Sequence, residues 1–415
     1  MFSILSSSSS SQLVNSTLNF QNSPKSPITV MSKTSKFKTL TENFTVRVLK
    51  AENRELNVAL LSPFTIASSR LDSVSNVAIR IELNDGFVGW GEAPILPSVT
   101  AEDQIMAMVK AREASEFLRE LPEMKLGNVL QEIGRFLPGH QFASVRAGME
   151  MAMIDAAAKS NVNGLKTPGT LINYSSMKVC VICGSQIPIV SPAEASVLAS
   201  KYRKRGFETL KLKVGKNLKA DIEVLQAIRA VHPTCSFILD ANEGYQTEEA
   251  VKVLETLHEM KVTPVLFEQP VHRDNWEGLS HVTRTAKNRF GVSIAADESC
   301  RGLTDLKKII EGNIVDVVNI KLAKTGILES LEVIELARSS GIELMIGGMV
   351  ETRLAMGFSG HLAAGLGCFR FIDLDTPLLL ADDPVQGGYK ACGAVYEFKD
   401  EGGHGGYLQW NDVAQ

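Results

Sequence analysis

Thr209-Leu-Lys-Leu-Lys-Val-Gly215 is an apolar run of period two that carries two lysines, Lys211 and Lys213, and stops at a glycine. Strand alternation puts both ammonium groups on one face. If that face points into a barrel, the two charges stand where lysine is expensive to bury, and something has to offset them. The chain that follows supplies it. Ile238-Leu-Asp240-Ala-Asn242, Leu266-Phe-Glu268-Gln-Pro270 and Ala295-Ala-Asp297-Glu298 each place one or more carboxylates at the end of a short hydrophobic run, and Asn319-Ile-Lys321-Leu brings another lysine. Base, three acids, base is an ordered series that reads as chemistry.

These runs belong to a longer pattern. Beyond Ser176, short β runs alternate with helical segments, as βα units around a parallel sheet do. Eight runs fall near residues 177–183, 209–214, 236–241, 264–269, 293–298, 317–322, 343–348 and 369–374. Eight units predict a TIM-type barrel. A doubly wound open sheet is the rival, but no G-x-G-x-x-G follows the first run, and polar residues close nearly every run instead of one switch point.

Upstream, Phe44 to Glu92 is β in pattern. Two strand-like runs lead to Pro63, a polar loop with Ser68, Ser69, Arg70 and Asp72 follows, and Val77-Ala-Ile-Arg-Ile-Glu-Leu83 meets a hairpin signal at Asp85-Gly86. Thr100-Ala-Glu-Asp103 predicts a capping box opening a helix to about Leu121, and Ala143 to Ser160 predicts a buried helix. The division expected is a tail at 1–41, an α+β domain at 42–170, a barrel at 171–385, and a glycine-rich segment at 386–415 that loops back toward the N-terminal domain. Residues 1–41 hold twelve serines, no Asp or Glu, and only lysines as basic residues, which is the composition of a transit peptide. The absence of arginine there favours a chloroplast (plastid) address over a mitochondrial one. A disordered tail on a cytoplasmic protein is the plainer alternative.

With 415 residues and 44% hydrophobic content the chain buries a large core, and a net charge of −4 gives no reason to expect nucleic acid or an anionic membrane as partner. No stretch approaches the roughly 18 apolar residues of a membrane helix. Six scattered cysteines fit reduced thiols better than a disulfide framework, and Cys180 and Cys183 read as core residues of a strand. The sequence leaves the oligomeric state, including a homo-oligomer, open.

Catalytic groups of such barrels stand at the C-terminal ends of strands. Lys213, Asp240, Glu268, Asp297 and Lys321 end five successive runs, which places them side by side around one mouth. Taken singly, a lysine there is a solvated strand end and an Asp is a helix cap; five in sequence are hard to obtain by chance. Three carboxylates without His or Cys make a hard oxygen site suited to Mg²⁺, with Mn²⁺ able to substitute. Lysines on either side suit abstraction of a proton α to a carboxylate, a weak carbon acid whose enediolate a divalent cation stabilises. A base lysine lowered toward neutrality is expected, with Lys211 as the depressing neighbour of Lys213.

The chain resembles the enolase superfamily in its muconate-lactonizing branch. The residues that carry the resemblance are Lys211-Leu-Lys213, Asp240-Ala-Asn242, Phe267-Glu268-Gln-Pro270, Ala296-Asp297-Glu-Ser299 and Asn319-Ile-Lys-Leu-Ala-Lys-Thr-Gly326, over about residues 44–385. It implies an α+β capping domain on a modified TIM barrel, (β/α)₇β, with Asp240, Glu268 and Asp297 as Mg²⁺ ligands and Lys213 and Lys321 as the acid/base pair. It also implies that Glu351 lies near the substrate carboxylate. Asp373 and Asp375, in Phe371-Ile-Asp-Leu-Asp375, look like the pair with which dipeptide epimerases, such as the L-Ala-D/L-Glu epimerases, bind the ammonium group of a dipeptide. Arg70 is close to where Glu-specific members carry an arginine, while Asp72 favours a cationic or small side chain. An N-acylamino acid racemase, a cycloisomerase and an o-succinylbenzoate synthase are rivals on the same scaffold, and a non-catalytic metal-stabilised binder is the rival of another class.

Overall fold

The computed structural model describes residues 37–67, 70–164, 179–182, 184–398 and 402–410. The N-terminal domain is a three-stranded antiparallel sheet, Val48–Thr65, Arg70–Leu83 and Val88–Ala93, backed by helices Gln104–Glu120, Leu126–Phe136 and Ala143–Gly164. Sheet and helix meet backbone to backbone. A side chain at Gly89 or Gly91 would stand 1.9 Å from Ala152 O or 2.0 Å from Gly148 O, so the Gly89-Trp90-Gly91 strand and the Gly148, Ala152, Ala156 stripe of the long helix are matched small surfaces. Two expectations fail locally. The polar loop beginning after Phe64 is largely strand, because Arg70 already pairs with Thr65. The helix expected from a Thr100 capping box is capped instead by Asp103, whose carboxylate accepts from Met106 N at 2.7 Å.

The second domain is a ring of eight parallel strands. In order they are Ser185–Ile187, Thr209–Lys213, Ser236–Asp240, Leu266–Glu268, Ser293–Ala296, Val317–Ile320, Glu343–Ile346 and Phe371–Ile372, each hydrogen-bonded to the next. A backbone bond from Gly184 N to Ile372 O, at 2.9 Å, brings the eighth beside the first. Ile238, Leu266, Ala295, Val317 and Met345 fill the lower interior, and helices such as Leu218–Val231 and Thr247–Glu259 cover the outside. The first strand is not the run expected at 177–183. Val179–Ile182 pairs antiparallel with Val395–Phe398, in a separate small sheet with Lys390–Cys392. An apolar run of strand length does not say which sheet it joins. Cys183 and the side chains of Val179–Ile182 lie outside the described residues; Cys235, Cys300, Cys368 and Cys392 are free thiols. Among the described residues no helix is long and apolar enough to cross a membrane.

Buried carboxylates dock the two domains. Glu92 is fully buried and accepts from Asn76 Nδ2 (2.7 Å), Thr352 Oγ1 (2.7 Å), Thr352 N (3.0 Å) and Ala355 N (3.2 Å), so it caps the helix Arg353–Leu366 of the barrel. Glu150 does the same for Ile327 N and the helix behind it, and Arg146 donates to Thr325 O at 2.7 Å. The C-terminal segment joins the clasp. His404 N donates to Asp155 Oδ1 at 2.9 Å, and the rings of Trp90 and Trp410 are 5.0 Å apart. Replacing Glu92 by Ala strands several buried donors at once, each worth about 1–3 kcal/mol when unpaired. Glu92→Ala is therefore expected to lower the urea midpoint of unfolding by an amount corresponding to about 3 kcal/mol or more; an unchanged midpoint would show that the docking does not depend on it.

Candidate active site

Register arithmetic places the charged side chains. Lys211 pairs with Gln186 and Ile238, Lys213 with Asp240, Asp240 with Glu268, and Glu268 with Ala295. Because side chains alternate, Lys211 and Lys213, Asp240, Glu268, Asp297, Asn319 and Lys321, and Asp373 and Asp375 share the inward parity with the apolar floor. Lys213, Asp240 and Glu268 are the last residues of their strands, while Asp297, Lys321 and Asp373 come directly after theirs. Strands two and six are four places apart in a ring of eight, so Lys213 and Lys321 face each other across the mouth with the three carboxylates between them.

Lys211, 2% exposed, is the hub. Its Nζ stands 3.0 Å from Asp240 Oδ2, 2.8 Å from Glu268 Oε2 and 3.0 Å from Asp373 Oδ2. Lys213 Nζ lies 2.6 Å from the same Asp240 Oδ2, and Lys321 Nζ lies 2.6 Å from Asp297 Oδ2. Where burial works against charge in this cluster, the neighbours decide the outcome. For Lys211 the burial penalty is outweighed by Asp240, Asp373 and Glu268, which raise it well above the usual lysine range. Lys321 is likewise raised, burial being overcome chiefly by Asp297. Burial pushes Asp240 upward, but Lys211, Lys213 and Lys321 bring it down to about 2. Glu268 goes the other way, raised to about 7 by burial and by the charge of Asp240.

The substrate-binding candidates divide. Asp373 faces the hub, accepting from Lys211 and from Gln186 Nε2 (3.3 Å). Asp375 is fully buried against the first strand, where it accepts from Ser185 Oγ (3.0 Å), Gln186 N and Gln186 Nε2 (3.2 Å). Two residues sharing one parity therefore differ in their partners: Asp375 is held by backbone and side-chain donors of the neighbouring strand, and Gln186 Nε2 bridges the two carboxylates. Glu351 is buried with Met349 N on Oε1 at 2.8 Å, and burial raises its carboxyl to about 8. Arg70 is paired with a neighbour on its own strand. Its guanidinium donates to Asp72 Oδ1 at 3.0 and 3.1 Å in an ion pair whose arginine side chain is 61% exposed, because residues two apart on a strand share a face.

Sequence reasoning missed the residues that hold the charged ones. Asn319 Nδ2 donates to Glu268 Oε1 at 2.8 Å, and Lys324 Nζ donates to Asp297 Oδ1 at 2.7 Å and to the carbonyls of Asp297 and Asn319. Gln186 carries no signal once 177–183 is read as the first strand, since it lies on Ser185–Ile187. Lys324 carried a signal, its spacing of three from Lys321, which turns both toward one side of a short helix.

The donor set fits a divalent cation. Asp240, Glu268 and Asp297 are fully buried hard oxygen donors from adjoining strands. Glu268 Oε2 and Asp297 Oδ2 meet lysine without hydrogen-bond alignment, and Glu298 Oε2 and Asn242 Oδ1 close by are buried without a hydrogen-bond donor. Among the described residues no three acidic, His or Cys side chains are drawn up on one point, because each of these carboxylates is turned on an ammonium group.

Comparison with known proteins places both domains in a family. Residues 50–166 match the mandelate racemase / muconate lactonizing enzyme N-terminal domain, and residues 194–412 match the enolase C-terminal domain-like family. A Populus trichocarpa protein named L-Ala-D/L-amino acid epimerase is 67% identical over 380 residues, covering 92% of this chain and 89% of its own. The structure of a substrate-liganded L-Ala-D/L-Glu epimerase from Bacillus subtilis superposes with a TM-score of 0.79 at 30% identity, covering 87% of this chain and 99% of that one. A dipeptide epimerase from Enterococcus faecalis V583, solved with Mg and L-Leu-L-Tyr, gives 0.74 at 29% identity over 87% and 99%. Two domain matches that together span both halves of the chain, and a relative 67% identical over 380 aligned residues, assign it to the mandelate racemase / muconate lactonizing enzyme family of the enolase superfamily.

Proposed function

We propose that this protein is an isomerase that epimerises dipeptides at the C-terminal residue, moving a proton from one face of the α-carbon to the other. The observation that carries the reading is Lys213 and Lys321 on opposite strands, with three fully buried carboxylates between them. The names of the relatives point the same way. Asp240, Glu268 and Asp297 would hold Mg²⁺, which supplies Lewis-acid stabilisation of the substrate carboxylate and offsets the carboxylate charge that otherwise favours ammonium on the lysines. The neutral lysine on one side removes the α-proton. The ammonium on the other side delivers one to the opposite face of the planar enediolate, and the roles exchange in the reverse direction. Lys211, locked among three carboxylates, takes no part in proton transfer.

Asp373 would receive the substrate ammonium group, with Asp375 and Gln186 holding it in place. Glu351, neutral below about 8, can donate a hydrogen bond toward the substrate carboxylate. With Arg70 engaged by Asp72, and Phe64 standing over Lys213 at 5.9 Å, an apolar side chain suits the site better than an acidic one. The acid-free serine tract of residues 1–41 supports a plastid address, in keeping with a Populus relative.

Three outcomes are expected. In D₂O, Lys213→Ala should lose α-proton exchange from one epimer and Lys321→Ala from the other, by several orders of magnitude; wild-type turnover by either variant would remove the two-base mechanism. Dipeptides with a free amino terminus should outperform their N-acetylated forms and N-succinyl amino acids by about ten- to a hundredfold, the worth of a charge-assisted contact of roughly 1.5–3 kcal/mol. Asp373→Asn should erase that preference, and equal turnover of blocked and free substrates would make N-acylamino acid racemase the better description. A fluorescent reporter fused behind residues 1–40 should enter plastids, and retention in the cytosol would remove the targeting claim alone.

A further inference from the structure

Gln269 follows Glu268 directly, and its backbone is unusual. Its φ is +37°, a region that side-chain-bearing residues rarely occupy, and it stands before Pro270, where extended backbone is preferred. Glycine would suit this position better. What glutamine adds is its amide. Oε1 accepts from both Asp297 N and Ser299 N at 3.0 Å, while Nε2 donates to Ser299 Oγ at 2.8 Å and to Val271 O at 2.9 Å. Every polar atom of a fully buried side chain is used, and all but one of its bonds go to the turn that carries Asp297.

The rest of the circuit closes on the same pair of carboxylates. Asp297 Oδ1 and its carbonyl are held by Lys324, Lys324 also binds Asn319 O, and Asn319 Nδ2 holds Glu268 Oε1. The ring therefore runs from Glu268 through Gln269, Asp297, Lys324 and Asn319 back to Glu268. It leaves one oxygen of each carboxylate, Glu268 Oε2 and Asp297 Oδ2, outside the hydrogen-bonded frame.

We infer that Gln269 is a positioning residue which sets the separation of Glu268 and Asp297, and so the affinity of the site for a divalent cation. The inference rests on the reading that these carboxylates hold the cation. Partners of this kind are worth about ten- to a hundredfold in metal affinity. Gln269→Met keeps the volume and removes the amide, and Ser299→Ala withdraws the hydroxyl that accepts from Gln269 and donates to Arg273 O while leaving the backbone N–H in place. Mg²⁺ binding to the chelator-stripped full chain, measured by calorimetry with folding checked by circular dichroism, is expected to weaken about ten- to a hundredfold in Gln269→Met and about threefold in Ser299→Ala. Raising Mg²⁺ should recover much of the epimerase rate of Gln269→Met, which a merely loosened fold would not do. Mg²⁺ affinity within twofold of wild type in both variants overturns the proposal. If Gln269→Met does not fold, Ser299→Ala decides in the same sense. Asp297→Asn separates the two readings: if it binds Mg²⁺ as tightly as wild type, the metal assignment fails and this inference with it, whereas loss there with unchanged Gln269 and Ser299 variants sinks only the role of Gln269.

Discussion

The constraint on which the structure depends is the charge of Lys211. An ammonium with 2% exposure in a barrel is tolerable only if carboxylates surround it, and Asp240, Glu268 and Asp373 reach it from strands three, four and eight. Those carboxylates are in turn tolerable only with cations near. Asp240, Glu268, Asp297, Glu298, Asp373 and Asp375 outnumber the lysines among them, Lys211, Lys213, Lys321 and Lys324. The excess is visible in Glu298, raised to about 8, and Asp375, raised to about 7, burial being the first cause in both. A buried cluster rich in oxygen and short of positive charge is what a divalent cation is suited to complete.

The two domains divide the work. Among the described residues, the barrel supplies the charged groups of the mouth named above. The capping domain supplies apolar wall: Phe64 and Ile66 pack with Val350 near Lys213, and Val99 packs with Ala323 and Met349 beyond Lys321. Such walls discriminate by shape and by exclusion of water, which strengthens each charge interaction beneath them. They work only if the cap is fixed, and Glu92, Glu150 and Arg146 fix it through barrel helix ends instead of through the mouth. Chemistry and side-chain preference can then vary independently.

The barrel, its parity and its five strand-end charges were legible because period-two alternation carries its own geometry: a charged residue two places beyond an apolar inward residue must also face inward. Register was the limit. Parity assigned Asp373 and Asp375 to one face but could not say that Asp375 would be consumed by Ser185 and Gln186, since those lie on a strand that sequence placed elsewhere. Val179–Ile182 reads as a barrel strand because nothing local distinguishes an antiparallel partner from a parallel one. Arg70 illustrates the converse. Its distance in sequence from the chemistry was plausible, yet Asp72 two residues on captures it first, a local pairing that long-range reasoning overlooks.

The pairing of the lysines matters most for an epimerase. Asp240 Oδ2 is shared by Lys213 at 2.6 Å and Lys211 at 3.0 Å, while Asp297 is shared by Lys321 on Oδ2 at 2.6 Å and Lys324 on Oδ1 at 2.7 Å. On each side, one carboxylate stands between a lysine at the mouth and a second lysine fixed by other bonds, Lys211 by two further carboxylates and Lys324 by two carbonyls. The fixed lysine keeps its carboxylate charged and in place whichever protonation state the mouth lysine adopts. A reaction that runs in both directions needs each face served by a group able to exist as base and as acid. The near-mirror arrangement of mouth lysine, carboxylate and anchoring lysine repeats one geometric theme on both faces, although the two halves come from different strands and share no local sequence.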